Sequence, residues 1–156
     1  MSVALVRVDD RLIHGQVVVG WGNAMRLESI VLVDDAISGS EWEQELYRAG
    51  VPPGVTVSFQ SVDQAAQSYE DWAGDGQRTL VLVGDVTTLI RLCDAVPIAK
   101  VNLGGIHRAE GRQQRLPYIF LSDEELERLR ALADQGVEIT AQDVPTARPV
   151  TLRELS

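Results

Sequence analysis

Thr79-Leu80-Val81-Leu82-Val83 carries no polar side chain after its leading threonine. A run this short and rich in β-branched residues, closed by Gly84-Asp85, reads as a strand rather than a helix. It does not alternate between apolar and polar, so both of its faces must be covered. That is the pattern of a central strand in a parallel sheet. Working upstream, Val55 to Phe59 predicts a strand after the Pro52-Pro53-Gly54 turn, Ser29 to Val33 a second and Val3 to Val8 the first. Downstream, Ala99 to Leu103, Leu116 to Leu121 and Val137 to Ala141 predict a fifth, sixth and final strand.

Helices are expected between these runs: Gln16 to Met25, Ser40 to Ala49, Ser61 to about Ala73, and Thr87 to Asp94. A last long helix opens at Ser122, buries Leu126, Leu129 and Ala133, and stops at Gly136. Three starts carry the pattern of a capping box: Ser40 with Glu43, Ser61 with Gln64, and Ser122 with Glu125. Residues Gly104 to Gln114 read as a functional loop or tight hairpin, and the tail from Pro145 as a surface-hugging extension. The alternation of strand and helix implies an α/β fold. It predicts an open, mostly parallel β-sheet with helices on both faces, and a single domain over residues 1–156.

Bulk composition narrows the functional classes. A chain of 156 residues with 45% hydrophobic content can close one core unaided, burying about two-thirds of its unfolded surface. Cys93 is the only cysteine, so no intrachain disulfide can form, which suits a reducing cytosol. It sits in Leu89-Ile90-Arg91-Leu92-Cys93 and reads as a packed small hydrophobe. No apolar stretch approaches the roughly 20 residues of a membrane span, and no signal segment precedes Val3. A cytoplasmic protein without direct membrane insertion is expected. The formal net charge is −9 with no basic run, which argues against nucleic acid as a partner. Any anion site must be built locally.

In open α/β sheets, ligands bind beyond the carboxyl ends of the strands. The candidate loops are therefore Asp9 to Gly15, Asp34 to Gly39, Gly84 to Val86, and Gly104 onward. The first reads Asp9-Asp10-Arg11-Leu12-Ile13-His14-Gly15-Gln16 and holds one of the two histidines. Gly15 lets a bound group approach the backbone, and the amides that follow favour an anion. Arg11 adds a fork suited to phosphate oxygens. A histidine is largely neutral near pH 7 and can attack phosphorus. Asp10 could orient the imidazole or compete for Arg11. The residues alone leave other readings open: a surface histidine beside a solvated Asp-Asp turn, or a metal-dependent phosphohydrolase using Asp9 and Asp10.

The whole string Val6 to Val17 resembles the signature of the enzyme IIB subunits of the mannose/fructose/sorbose family, in the bacterial phosphoenolpyruvate-dependent sugar phosphotransferase system. Trp21, Ile30 to Asp35, Pro52 to Val55 and Val101-Asn102-Leu103-Gly104-Gly105 are similar as well, so the resemblance spans essentially the chain. It implies a phosphohistidine carrier. His14 would take the phosphoryl group from a phosphorylated IIA subunit and give it to a sugar presented by the membrane subunits IIC and IID. Arg11 would bind the phosphoryl oxygens, while Asp10, Gly15 and Gln16 would shape the loop. No metal and no organic cofactor is implied. Where relatives carry a hydroxyl residue after strand four, this chain has Gly84-Asp85-Val86, and Thr87 or Thr88 is the substitute hydroxyl. Where relatives place a basic residue, this chain has Ala109, leaving Arg108 or Arg112 to supply the charge. Asp9 is a further loop contact, and His107 a loop or partner-contact residue. A regulatory phosphoprotein of the same system, one that does not drive transport, is the alternative.

Overall fold

The computed structural model describes residues 3–74 and 76–156; Met1, Ser2 and Asp75 lie outside them. Among the described residues seven strands form one sheet in the order β3-β2-β4-β1-β5-β8-β9. These are β1 (Val3–Val8), β2 (Ser29–Val33), β3 (Thr56–Gln60), β4 (Thr79–Val83), β5 (Lys100–Leu103), β8 (Glu138–Ala141) and β9 (Val150–Thr151). All pairings in it are parallel except that of β8 with β9. The apolar run at Thr79 lies between β2 and β1 and is buried throughout, as its pattern required.

The period of two divides each strand between the faces. On one side Val6, Val8, Val31, Val33, Val81, Val83, Val101 and Leu103 join a cluster with α4 (Val62–Gly74), α5 (Val86–Ala95) and α6 (Asp123–Asp134). On the other, Ile30, Leu32, Leu80 and Leu82 meet Leu12, Ile13, Val17 and Val18. Here the cover is a π-helical stretch, Gln16–Trp21, running into α1 (Gly22–Met25), with α2 (Asp35–Ser38) and α3 (Glu41–Ala49) beyond. Cys93 is partly buried against the first cluster, and burial pushes its thiol up to about 11, so it stays protonated.

Several boundaries differ from expectation for identifiable reasons. The expected helix from Gln16 begins as a π-turn: the Gly22 amide donates to Val17 O, five residues back. Two glycines, Gly20 and Gly22, weaken the tighter α geometry there. The expected sixth strand is instead a hairpin, β6 (Gln113–Leu116) with β7 (Ile119–Leu121), turned at Pro117-Tyr118. The last strand is β9, not β8, and the tail continues into a 3-10 turn, Leu152–Leu155, that buries Leu155. The capping boxes form at Ser61–Gln64 and Ser122–Glu125, but Ser40 makes no side-chain cap.

The β1 loop leaves the sheet where the chain's direction reverses, since β4 flanks β1 on one side and β5 on the other. Its backbone is pinned to both: Asp9 N donates to Val83 O at 2.9 Å and Asp10 N to Gly105 O at 2.9 Å. The fold therefore aims the β1 loop into the crevice where such sheets bind ligands.

Candidate functional site

Residues of β1 alternate, so Arg7 and Asp9 lie on the face opposite Val6 and Val8. Arg7 pairs in register with Asn102 of β5, whose side chain shares that face. The Arg7 side chain is fully buried. Its Nη1 donates to Gln142 O at 2.9 Å and to Asn102 Oδ1, and its Nη2 donates to Asp143 O at 3.1 Å. Its guanidinium carbon stands 4.7 Å from the centre of the Trp21 ring. Nη2 lies 3.3 Å from Asp9 Oδ2, a buried ion pair.

Asp9 is also fully buried and is the hub of the site. It accepts from the Arg11 amide at 3.1 Å and from Arg11 Nε at 3.0 Å through Oδ1, and from Arg11 Nη2 at 2.9 Å through Oδ2. Burial alone pushes its carboxyl up, but the Arg11 hydrogen bonds and the Arg7 and Arg11 charges outweigh that and hold it below the usual range. Gly104 and Gly105 make the room. A Cβ on Gly104 would fall 2.3 Å from Arg7 Nη2 and 2.7 Å from Asp9 Oδ2, and one on Gly105 would fall 3.1 Å from Arg11 Nε.

His14 is hydrogen-bonded at one ring nitrogen and faces a carboxylate with the other. Nε2 is buried 3.5 Å from Asp9 Oδ2, a charge contact without a formed hydrogen bond. Nδ1 accepts from the Gln16 amide at 3.3 Å. This assigns the proton to Nε2, facing the carboxylate, and leaves the lone pair on Nδ1. Burial lowers the pKa of the ring; Asp9 opposes this and Arg11 adds to it. The imidazole is therefore neutral and nucleophilic near pH 7. Leu12 adopts φ +58°, uncommon for a non-glycine residue, and packs beside Gly84, where a Cβ would lie 3.1 Å from its Cδ2.

The expected site residues separate into two groups. Arg11, His14 and Gln16 come together with Asp9, and Gln16 Oε1 accepts from Arg11 Nη1 at 2.8 Å. Gly15 is helical and exposed, with open space where a Cβ would point. Asp10 turns away: its Oδ2 accepts from the His107 amide at 2.6 Å and its Oδ1 meets His107 Nδ1. The carboxylate that orients the imidazole and engages Arg11 is that of Asp9. Thr87 accepts from Arg128 of α6 at 3.3 Å. Arg112 grips Glu125 through two 3.0 Å hydrogen bonds, and Arg108 lies over the Phe120 ring. Arg7, Asn102, Gln142 and Asp143 were not expected. The available signal was Arg7 itself, a full charge inside an otherwise apolar strand, two residues from an aspartate.

Asp9, flanked by two guanidinium groups, is a poor ligand for a cation, which weighs against a metal-dependent phosphohydrolase. Among the described residues no group of three or more His, Cys, Asp or Glu could hold a metal. No helix among them is long and apolar enough to cross a membrane.

Fold and site define an open α/β domain that carries one histidine, an arginine and a buried carboxylate at the mouth of its sheet. The family model described as the PTS system sorbose subfamily IIB component matches residues 3–155. The chain belongs to that family and is a sugar phosphotransferase component of the IIB type. The Bacillus subtilis fructose-specific EIIB component is 28% identical over 94% of this chain and 90% of its own length. The Klebsiella pneumoniae sorbose-specific EIIB component is 29% identical over 97% and 93%. The Escherichia coli K12 mannose-specific EIIAB component is 29% identical over 99% of this chain but 48% of its own. The solved IIB domain of the Klebsiella pneumoniae sorbose permease superposes with a TM-score of 0.90 at 27% identity, covering 99% and 96%.

Proposed function

We propose that residues 1–156 act as one IIB unit that takes a phosphoryl group onto Nδ1 of His14 from a phosphorylated IIA subunit. It passes the group to a sugar hydroxyl presented by the membrane subunits IIC and IID, on the cytoplasmic side, without metal or organic cofactor. The observation that carries this reading is the orientation of the ring: Nε2 is buried against Asp9, so Nδ1 is the nitrogen an incoming phosphorus can reach.

In the acceptance step Nδ1 gives up the hydrogen bond from the Gln16 amide, and its lone pair forms the new N–P bond while the N–P bond of the donor phosphohistidine breaks. The donor ring keeps the released electron pair. With phosphorus on Nδ1 and the proton still on Nε2, the His14 ring becomes cationic, and Asp9 lies where it offsets that charge. Arg11, its side chain 30% exposed, reaches the phosphoryl oxygens once it releases Asp9 and Gln16. Gly15, exposed and with nothing within 4 Å of where a Cβ would point, leaves that side of the loop unobstructed for a donor. Transfer onward breaks the His14 N–P bond as the sugar oxygen bonds to phosphorus; Nδ1 keeps the electron pair, which leaves the ring neutral, and the hydroxyl proton is released to solvent. The relatives named above are specific for fructose, sorbose and mannose, so the acceptor here is a hexose or a close derivative.

The test is incubation with radiolabelled phosphorylated IIA. Wild-type protein should take up label and His14→Ala should take up none; equal labelling of the two would refute the assignment. Labelled protein is then mixed with membranes holding IIC, IID and sugar. Label passing to the sugar marks a transport component, whereas label retained on His14 marks the regulatory alternative.

A further inference from the structure

We propose that Arg7 is a positioning residue that keeps Asp9 charge-compensated while Arg11 moves from Asp9 to the phosphoryl group on His14. The inference rests on the reading of His14 as a phosphoryl carrier.

In the structure Arg11 is not free to greet a phosphoryl group. Its Nε and Nη2 are both spent on Asp9, and its Nη1 on Gln16. It must let go of Asp9 to bind phosphoryl oxygens. Asp9 is fully buried, and a buried carboxylate that loses its partner either holds that partner back or takes up a proton. A protonated Asp9 could no longer offset the cationic ring that forms when phosphorus joins Nδ1. A second, fixed cation removes the difficulty.

Arg7 has the properties of that cation. It is fully buried, whereas Arg11 is partly exposed. It is held by the carbonyls of Gln142 and Asp143, by Asn102, and by the face of Trp21. Those partners belong to the strand ends and the first helical segment, not to the β1 loop, so movement of Arg11 does not loosen them. A Cβ at Gly104 would press on both Arg7 and Asp9, so the glycine leaves room for them to meet. The fold itself has no need of a charge here. Leu5, two residues earlier on the same face, is apolar, and an apolar side chain at position 7 would avoid the desolvation of a guanidinium.

The experiment phosphorylates the protein with potassium phosphoramidate, which needs no partner, and follows the arginine side chains by 15N NMR. In wild type, the Nε–H signal of Arg11 should move on phosphorylation and that of Arg7 should stay; the reverse pattern, or no movement of either, overturns the proposal. Arg7→Met should accept the phosphoryl group at least about tenfold more slowly, and Arg7→Lys should restore most of the rate. Arg11→Ala should cost clearly less in the Arg7→Met background than in wild type, because the hand-over is already lost. An unchanged rate in folded Arg7→Met, or an equal cost of Arg11→Ala in both backgrounds, leaves Arg7 a merely structural residue. Should Arg7→Met not fold, the wild-type NMR pattern decides alone. Failure of wild type to label at His14 removes the carrier reading and this proposal with it, while normal labelling with an unaffected Arg7→Met removes only the role of Arg7.

Discussion

Gly104 stands where any larger residue would press on the buried pair of Arg7 and Asp9. Gly104→Ala should therefore destabilise the protein by about 3 kcal/mol, seen as a lower urea midpoint at unchanged slope. The pH behaviour of His14 follows from its environment. Its pKa lies below the ordinary 6.5, so the neutral ring is already dominant at that pH. The rate of phosphoryl acceptance should therefore fall in acid solution with a midpoint below 6.5 and be level above neutrality. A midpoint above 6.5 would mean that Asp9 holds the ring charged. The stability linked to this group has the same sign: it is complete above the unfolded value and declines as pH falls below it. Much of this was readable at the residue level. His14, Arg11 and Gln16 stand together in eight consecutive letters, and their meeting needed only a tight loop. Asp9 and Asp10, however, are adjacent and chemically alike. Only the pleat, which sends one inward to two arginines and the other outward to His107, tells them apart.

Elements were legible where their signals are local. β1, β2 and β4 match their expected bounds because runs of apolar β-branched residues end abruptly at polar or glycine positions. The hairpin of β6 and β7 was missed because Gln113 to Arg115 carries no apolar alternation, and its second strand is held from outside by Ile106 bonding to Tyr118 and Phe120. The three Ser-led helix starts offer a matched test. Ser122 accepts from the Glu125 amide at 3.0 Å while Glu125 caps in return and grips Arg112, so Ser122→Ala should cost about 1 kcal/mol. Ser40 has the same sequence pattern but no side-chain cap, so Ser40→Ala should change stability by less than about 0.5 kcal/mol. Paired thermal melts separate the two, and equal losses would show that the α3 cap forms in solution.

Across the whole molecule, the architecture could be anticipated because strand and helix alternate, but the closing of the sheet edge could not. The two-residue β9 runs antiparallel to β8 and is followed by the turn that buries Leu155. Removal of residues 150–156 should cost about 3 kcal/mol from the lost Leu155 contacts alone. It also bares the β8 backbone, so the shortened protein should self-associate more than the full chain in sedimentation runs. The deepest tie spans nearly all of the chain. Arg7 finds its two carbonyl partners at Gln142 and Asp143, 135 and 136 residues later. A ribosome that has just released the histidine loop has therefore delivered the reactive ring without its setting. That setting is complete only once residues 142 and 143 have been made and have joined the sheet, so a fragment that stops short of them should hold Arg7 without its two carbonyl anchors.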